Sequence, residues 1–293
     1  MSFIYGRVAI LQIGVPGHTG KELRSFRKDE KGIVSDGLRM TFSIEKTSEP
    51  NPNKSTITVY NLAPDTLALL KKPKCTVQLR AGFGGLIGPE VIGNLYTGDV
   101  FKTKTDKSGP DYITTIESAD GLAAMQSQTL DMSFAEGAKT SSIIDKVIDS
   151  FGLGKGTVQI DDDQQYQSGL TLSGDSKNSM DTVTKKAGLE WSVQDGKIQV
   201  LPVNSSTRES AILLTSDSGL IGSPQRSGFS SSQEKKKEGV EFKSLLNPGL
   251  KIGRLVKIDS KFIDGFFIVR KLTHKGDTIS GDWLTECEGA PFV

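Results

Sequence analysis

Arg39-Met40-Thr41-Phe42-Ser43-Ile44-Glu45 alternates polar and apolar side chains without a break. Successive side chains of an extended chain point to opposite faces, so this period of two buries Met40, Phe42 and Ile44 and leaves the other face wet, as in a half-buried antiparallel strand. Thr56-Ile57-Thr58-Val59-Tyr60 and Thr76-Val77-Gln78-Leu79-Arg80 repeat the pattern. Between them, Asn61 to Leu70 carries Pro64 where a first helical turn tolerates it, then good helix formers, and stops at Lys71-Lys72-Pro73, which predicts a short helix. Strands are also expected over 3–13 and near 91–103 and 110–118, bounded by Gly, Asp or Pro. That makes about six strands and one helix in the first 120 residues, and a small closed or nearly closed β-barrel is the simplest way for them to avoid open edges. Residues 14–36, polar and rich in Gly and Lys, read as a long mobile loop.

The character changes near Asp120. Ile143, Ile144, Val147, Ile148 and Phe151 fall at helical spacing, with Gly152 placed to end the helix. A second helix is expected over 177–187, with Met180, Val183 and Ala187 on one side and Gly188 as its stop. It leads into two alternating runs, 190–194 and 197–200, joined by Asp195-Gly196, a strong hairpin signal. Residues 204–238, with Ser230-Ser231-Ser232 and Lys235-Lys236-Lys237, have the composition of a linker or loop, mobile over 222–238. A second β-rich block follows over 239–246, 252–258, 265–273 and 278–288, with His274-Lys275-Gly276-Asp277 expected to form its last turn. The reading is a mainly β chain in three parts: a first barrel over 1–120, a small α+β module over 121–203, and a linker with a second barrel over 204–293.

Several function classes lose their basis here. With 36 Lys+Arg against 35 Asp+Glu the formal charge is +1, so no basic surplus draws the chain to nucleic acid or an anionic membrane. Counting glycine and leaving out tyrosine, about 44% of residues are apolar, at the low edge for globular chains. Cys75 and Cys287 stand alone, without a disulfide framework or zinc spacing. The N-terminal MSFIYGRVAILQIGVPG has its one basic residue, Arg7, inside the apolar stretch, and no run reaches the length of a membrane span, so a soluble protein made in a reducing cytoplasm is expected. Gly152-Leu153-Gly154-Lys155-Gly156-Thr157 fails as a phosphate loop, because it trails a helix and Gly156 separates Lys155 from Thr157; it reads as a helix end plus a turn. Ala81 to Gly88 reads as a glycine-rich hairpin loop. Asp161-Asp162-Asp163 lacks the alternate spacing and distal Glu of a calcium loop and reads as a solvated turn. The lysines enclosed by Glu234 and Glu238 read as a solvated charge block. His18 and His274 fall in a Gly/Pro loop and a predicted turn, with no nucleophile elbow or zinc-protease helix to serve. Neither catalytic residues nor a cofactor are expected.

The stretch Ser48 to Leu62, the helix to Leu70, and Val77-Gln78-Leu79-Arg80-Ala81-Gly82-Phe83 resemble the baseplate hub proteins of contractile-tailed bacteriophages. In that family an asparagine-bearing turn precedes a strand ending in Tyr-Asn-Leu, a helix follows, and the next strand ends in Ala-Gly-aromatic. Asp264 to Val269, His274 to Asp277 and Trp283-Leu284-Thr285 are similar to the family's closing hairpin. The resemblance implies a non-enzymatic structural virion protein with two tail-tube-like barrels. It would be a homotrimer joining the six-fold tail tube above to a three-fold central spike below, with wedge or peripheral baseplate proteins around it. A hub of a phage-derived contractile injection system is a variant of this reading; a tail-associated cell-wall hydrolase is the alternative from another class. Leu62, Leu67 and Leu70 would belong to the helix that packs a barrel, with one side facing a neighbouring subunit or, alternatively, with all of it serving the chain's own core. The expected location is the tail baseplate of the virion, after assembly in the host cytoplasm.

Overall fold

A computed structural model describes residues 5–28, 34–85, 91–231 and 234–292. The chain is mainly β. The first part contains β1 (Tyr5–Gly14), β2 (Lys21–Arg24), β3 (Phe26–Lys28), β4 (Val34–Asp36), β5 (Met40–Thr47), β6 (Lys54–Tyr60), α1 (Pro64–Leu70), β7 (Thr76–Gly85), β8 (Val91–Ser108) and β9 (Asp111–Ala119). The middle contains α2 (Leu122–Ser127), β10 (Thr129–Phe134), β11 (Ala138–Lys139), α3 (Thr140–Phe151), β12 (Gly154–Val158), β13 (Gln165–Tyr166), β14 (Leu170–Asp175), α4 (Ser176–Lys186), β15 (Leu189–Gln194) and β16 (Lys197–Pro202). The last part contains β17 (Ile212–Leu214), β18 (Leu220–Ser231), β19 (Glu234–Leu245), β20 (Leu255–Asp259), β21 (Asp264–Asp277) and β22 (Trp283–Pro291).

One sheet runs through both ends of the chain in the order β18-β19-β22-β21-β5-β6-β9-β8-β7-β1-β2, with β20 on β21 and β17 on β20. β21 is the shared strand. Its first half pairs with β20 from Leu255↔Ile268 to Asp259↔Asp264, and its second half pairs with β5 from Lys271↔Thr47 to Asp277↔Thr41. Side chains from β1, β5, β6, β7, β8 and β9 meet in one core that also holds Leu246 and Trp283 from the last part. The last part has its own core around Val240, Phe242, Val256, Ile258, Val269 and Cys287. Strands far apart along the path share one core, so the sheet curls around it. Among the described residues no ladder closes either curl into a barrel. In the first, the gap between β1 and the β21–β22 connection is bridged by side chains: Arg7 donates from Nη1 to the Asp277 carbonyl and from Nη2 to that of Gly281, both at 2.8 Å.

The middle part packs α3 and α4 around a third core of Ile143, Ile144, Val147, Ile148, Phe151, Met180, Val183 and Trp191. The helices end where the glycines predicted, Gly152 at φ +67° and Gly188 at φ +66°, a left-handed conformation that glycine adopts without a Cβ clash. Asp195 and Gly196 turn the β15–β16 hairpin with φ of +57° and +77°, the paired positive values of a type I′ turn.

Three sequence expectations need correction. Residues 14–36 are not simply a loop: β2 pairs with β1 from Ile10↔Arg24 to Ile13↔Lys21, Leu23 packs on the first core, and β3 pairs with β4. Residues 204–238 are not simply a linker: β17 lies there, and β18 pairs with β19 from Leu220↔Ser244 out to Ser231↔Glu234. A two-stranded ribbon needs no apolar alternation where neither face meets a core, and this hides it in polar composition. His274 to Asp277 is not a turn: it lies inside β21, paired on both sides, and the turn falls at 278–282. Gly276 serves packing instead, because a Cβ there would lie 2.3 Å from the ring of Phe42, its partner on β5. We predict that Gly276→Ala costs about 2 kcal/mol by overpacking, read as a lower urea midpoint at unchanged slope. Residues 86–88, the end of the expected hairpin loop, lie outside the described residues, while Ala81 to Gly85 belong to β7.

Candidate functional site

The residues weighed for chemistry are scattered. His18 is exposed, its Nε2 3.1 Å from Lys72 Nζ. His274 is buried with Nδ1 2.9 Å from Thr285 Oγ1, and burial, with help from Lys46, pushes its pKa down to about 3. Asp163 accepts from Ser141 N and Oγ, both at 2.8 Å, and so ties down the start of α3; Asp161 pairs with Arg208. Among the described residues no three His, Cys, Asp or Glu side chains converge to hold a metal ion. Burial pushes the Cys75 and Cys287 thiols up, away from the reactive thiolate. The backbone of 234–238 is part of β19, and its side chains lie outside the described residues. No described helix is long and apolar enough to cross a membrane.

The three parts of the chain meet through polar groups. Asp120, fully buried, accepts from the backbone N–H of Asp195 at 2.5 Å and of Gly196 at 2.7 Å. The buried Lys46 of β5 donates to Asp195 Oδ1 at 2.7 Å, and the same oxygen takes the Thr97 N–H at 3.2 Å. Asn53 accepts from Thr47 N at 2.9 Å and donates to the Val193 carbonyl at 2.7 Å, while Gln194 Nε2 returns a bond to the Thr47 carbonyl. Arg270 of β21, also buried, pairs with Glu190 of β15. Burial raises the Asp120 pKa to about 7; the Gly196 N–H and Lys46 oppose this, and the Asp195 carboxylate adds to it. A cleft of about 350 Å³ opens beside this junction, lined by Asn94, Thr97, Thr157, Gln194, Lys251 and Arg254 among others. Its lining offers hydrogen-bond donors and acceptors.

The surface is informative as well. Leu62 and Leu70 are buried in the first core and Leu67 packs at its margin, so the apolar side of α1 serves the chain's own core. Pro64, Asp65 and Ala68 of α1 are exposed. Tyr112, 52% exposed, lies beside the start of α1, its carbonyl accepting from Asn61 N at 2.7 Å. On the last part, Leu213 (54% exposed), Phe266 (46%) and Phe292 (44%) lie near one another on the outside of the sheet, with Phe262 (70%) at the β20–β21 turn. Sequence reasoning misses both this row and the Asp120 junction.

The family model described as baseplate hub gp41 matches residues 24–277. No curated protein matches the chain in sequence. Among solved structures, a tail protein from Neisseria meningitidis MC58 is similar with TM-score 0.65 and 10% identity over 98% of this chain and 97% of that one. The 43 kDa tail protein of prophage MuSo2 from Shewanella oneidensis is similar with TM-score 0.63 and 10% identity over 98% of each chain. An E. coli component of the type VI secretion system, itself structurally similar to the T4 bacteriophage tail proteins gp27 and gp5, has TM-score 0.60 and 10% identity over 96% of this chain and 77% of its own. At such identities these likenesses show the fold.

Proposed function

The chain belongs to the baseplate hub gp41 family, a family of structural tail proteins and not of enzymes, and from that membership we propose that it joins the six-fold tail tube to the three-fold central spike as a homotrimer. The observation that carries the reading is a single sheet curling around two separate cores, one near each end of the chain. Each curl is a tail-tube-like barrel unit, two per chain and six per trimer, which is the count a six-fold tube needs below it. The units span 1–120 and 204–293, and the α+β module of 121–203 is held beside them by the polar junction. Tail tube proteins lie above, the spike below, and wedge or peripheral proteins outside. The exposed side of α1, carried on Leu62, Leu67 and Leu70, faces the neighbouring subunit. Assembly takes place in the host cytoplasm before the hub enters the virion tail.

Light scattering on the purified protein tests this. We predict a mass about three times the 31.6 kDa of one chain. A single-chain mass across the micromolar range, with the protein absent from the tip of purified tails, would refute the reading.

A further inference from the structure

We propose that the apolar row of the last part is one side of the contact between copies of this chain, and that it seats on the α1–Tyr112 edge of the next copy. The inference rests on the trimer reading and says which surfaces close it. The row follows from register. Leu213 is opposite Lys257, Lys257 is opposite Phe266, and Phe292 donates its N–H to the Phe266 carbonyl at 3.0 Å. Residues directly opposite on paired strands share a face. The neighbouring Val256, Ile258 and Phe267 point the other way, into or against the core, so this row points outward.

The chain covers only part of that outer face. Toward Arg270 the middle part and the segment that follows it sit on it: Glu190 pairs with Arg270, Gln199 reaches the Ile252 carbonyl, and Thr207 N donates to the Gly253 carbonyl at 2.8 Å. Beyond that the cover stops and the phenylalanines begin. From their exposures the row presents on the order of 400 Å² of apolar surface. A standard interface takes about 800 Å² from each partner, a little over half of it apolar, so one such contact would use the row fully. The row carries little charge of its own: Lys257 is paired with Asp264, which leaves one lysine at its end, Lys261, 5.6 Å from the centre of the Phe262 ring.

The occupant is a second copy because a cyclic trimer needs a surface unlike the row to receive it. The α1–Tyr112 edge supplies that surface. It exposes Pro64, Ala68 and the Tyr112 ring, and its Asp111, bonded to Asn61 and with Arg39 in its neighbourhood, makes no ion pair among the described residues. Lys261, which has no carboxylate partner among the described residues, is the matching charge. Unlike patches meeting head to tail close a ring of three where the rotation between copies is a third of a turn, whereas like patches would stop at a two-fold pair.

The test uses Phe266→Glu and Phe262→Ser on one side and Tyr112→Asp on the other, in the full chain. All three sites are exposed, and circular dichroism checks that each variant stays folded. Phe266→Glu and Tyr112→Asp are each expected to weaken self-association about 30-fold or more and to give single chains in light scattering at concentrations where the natural protein is trimeric, with Phe262→Ser weaker in the same direction. An equal mixture of Phe266→Glu and Tyr112→Asp chains retains one intact contact per pair and is expected to give dimers. A Phe266→Glu protein that remains trimeric overturns the inference while the trimer reading stands. So does a mixture that stays monomeric. A natural protein that is itself monomeric overturns both.

Discussion

Replacing Trp283 with alanine is expected to cost about 3–5 kcal/mol, the usual loss for a buried large aromatic. The loss should appear in the first part of the chain, although the residue belongs to the last. Trp283 opens β22, is nearly fully buried, and packs edge-on to Phe42 of β5 with ring centres 5.4 Å apart and to Phe83 of β7 at 6.5 Å. The Arg7 guanidinium lies 5.7 Å from the ring centre and reaches on to the 277–281 segment. Removing the indole opens a cavity and strips the plug from the gap that no ladder closes. Guanidinium unfolding followed by hydrogen exchange would read it. We expect β1, β5 and β7 amides to lose protection together with β21 and β22. Loss confined to β21 and β22 would show that the first curl stands without the last hairpin.

This dependence explains which parts of the fold the sequence discloses. The middle part is legible because its signals are local: the spacing of Ile143 to Phe151, glycines just past two helices, and Asp195-Gly196 between alternating runs. The strands with one wet face, β5, β6 and β7, are legible for the same reason. What stays hidden depends on contacts distant in sequence. Gly276 looks like turn punctuation because glycine usually is, yet its role is to leave room for the ring of Phe42, far back in the chain. β18 and the outer half of β19, before Gly239, carry too little apolar pattern to be seen, and α2 is a short run without a clear stripe. The outward row has one readable sign. Phe266-Phe267-Ile268-Val269 is an unbroken apolar run, and a strand of that kind in an antiparallel sheet needs cover on both faces. The leucines in and just ahead of α1 draw attention instead, because a helix stripe is easy to see; Leu70, and Leu62 before the helix begins, are spent on the chain's own core. Asp120 gives no sign at all, since a lone aspartate between a strand and a helix is common and its partners are backbone groups of a distant turn.

That aspartate carries the second prediction, which concerns stability against pH. Asp120 titrates near pH 7 in the folded protein and near 3.8 when unfolded. A raised carboxyl pKa means that the native state holds a proton the unfolded chain has released, so stability falls as pH rises from about 4 to about 7, by about 1.4 kcal/mol per pH unit at most. His274 has the opposite sign. Its pKa of about 3 against 6.5 means that the unfolded chain binds the proton first, so stability rises with pH over about 3 to 6.5. From pH 5 to 6.5 the two slopes largely cancel. The carboxylates held low by partners, such as Glu286 between Lys243 and Lys275, act only below about pH 4.5 and stay out of this window. The natural protein should therefore be nearly flat from pH 5 to 6.5 and then decline slightly toward 7.5. Asp120→Asn keeps a carbonyl oxygen for one N–H of the turn and cannot ionise. Its cost at pH 5 should be about 1 kcal/mol for the lost second acceptor. Its stability should then climb by up to about 2 kcal/mol between pH 5 and 6.5, as the His274 slope is uncovered, so the variant meets or passes the natural protein by about pH 6.5. Urea unfolding at pH 5, 6.5 and 7.5 measures both curves. If they run parallel, the buried Asp120 carboxyl does not hold a proton in the folded chain, and the junction stays ionic throughout.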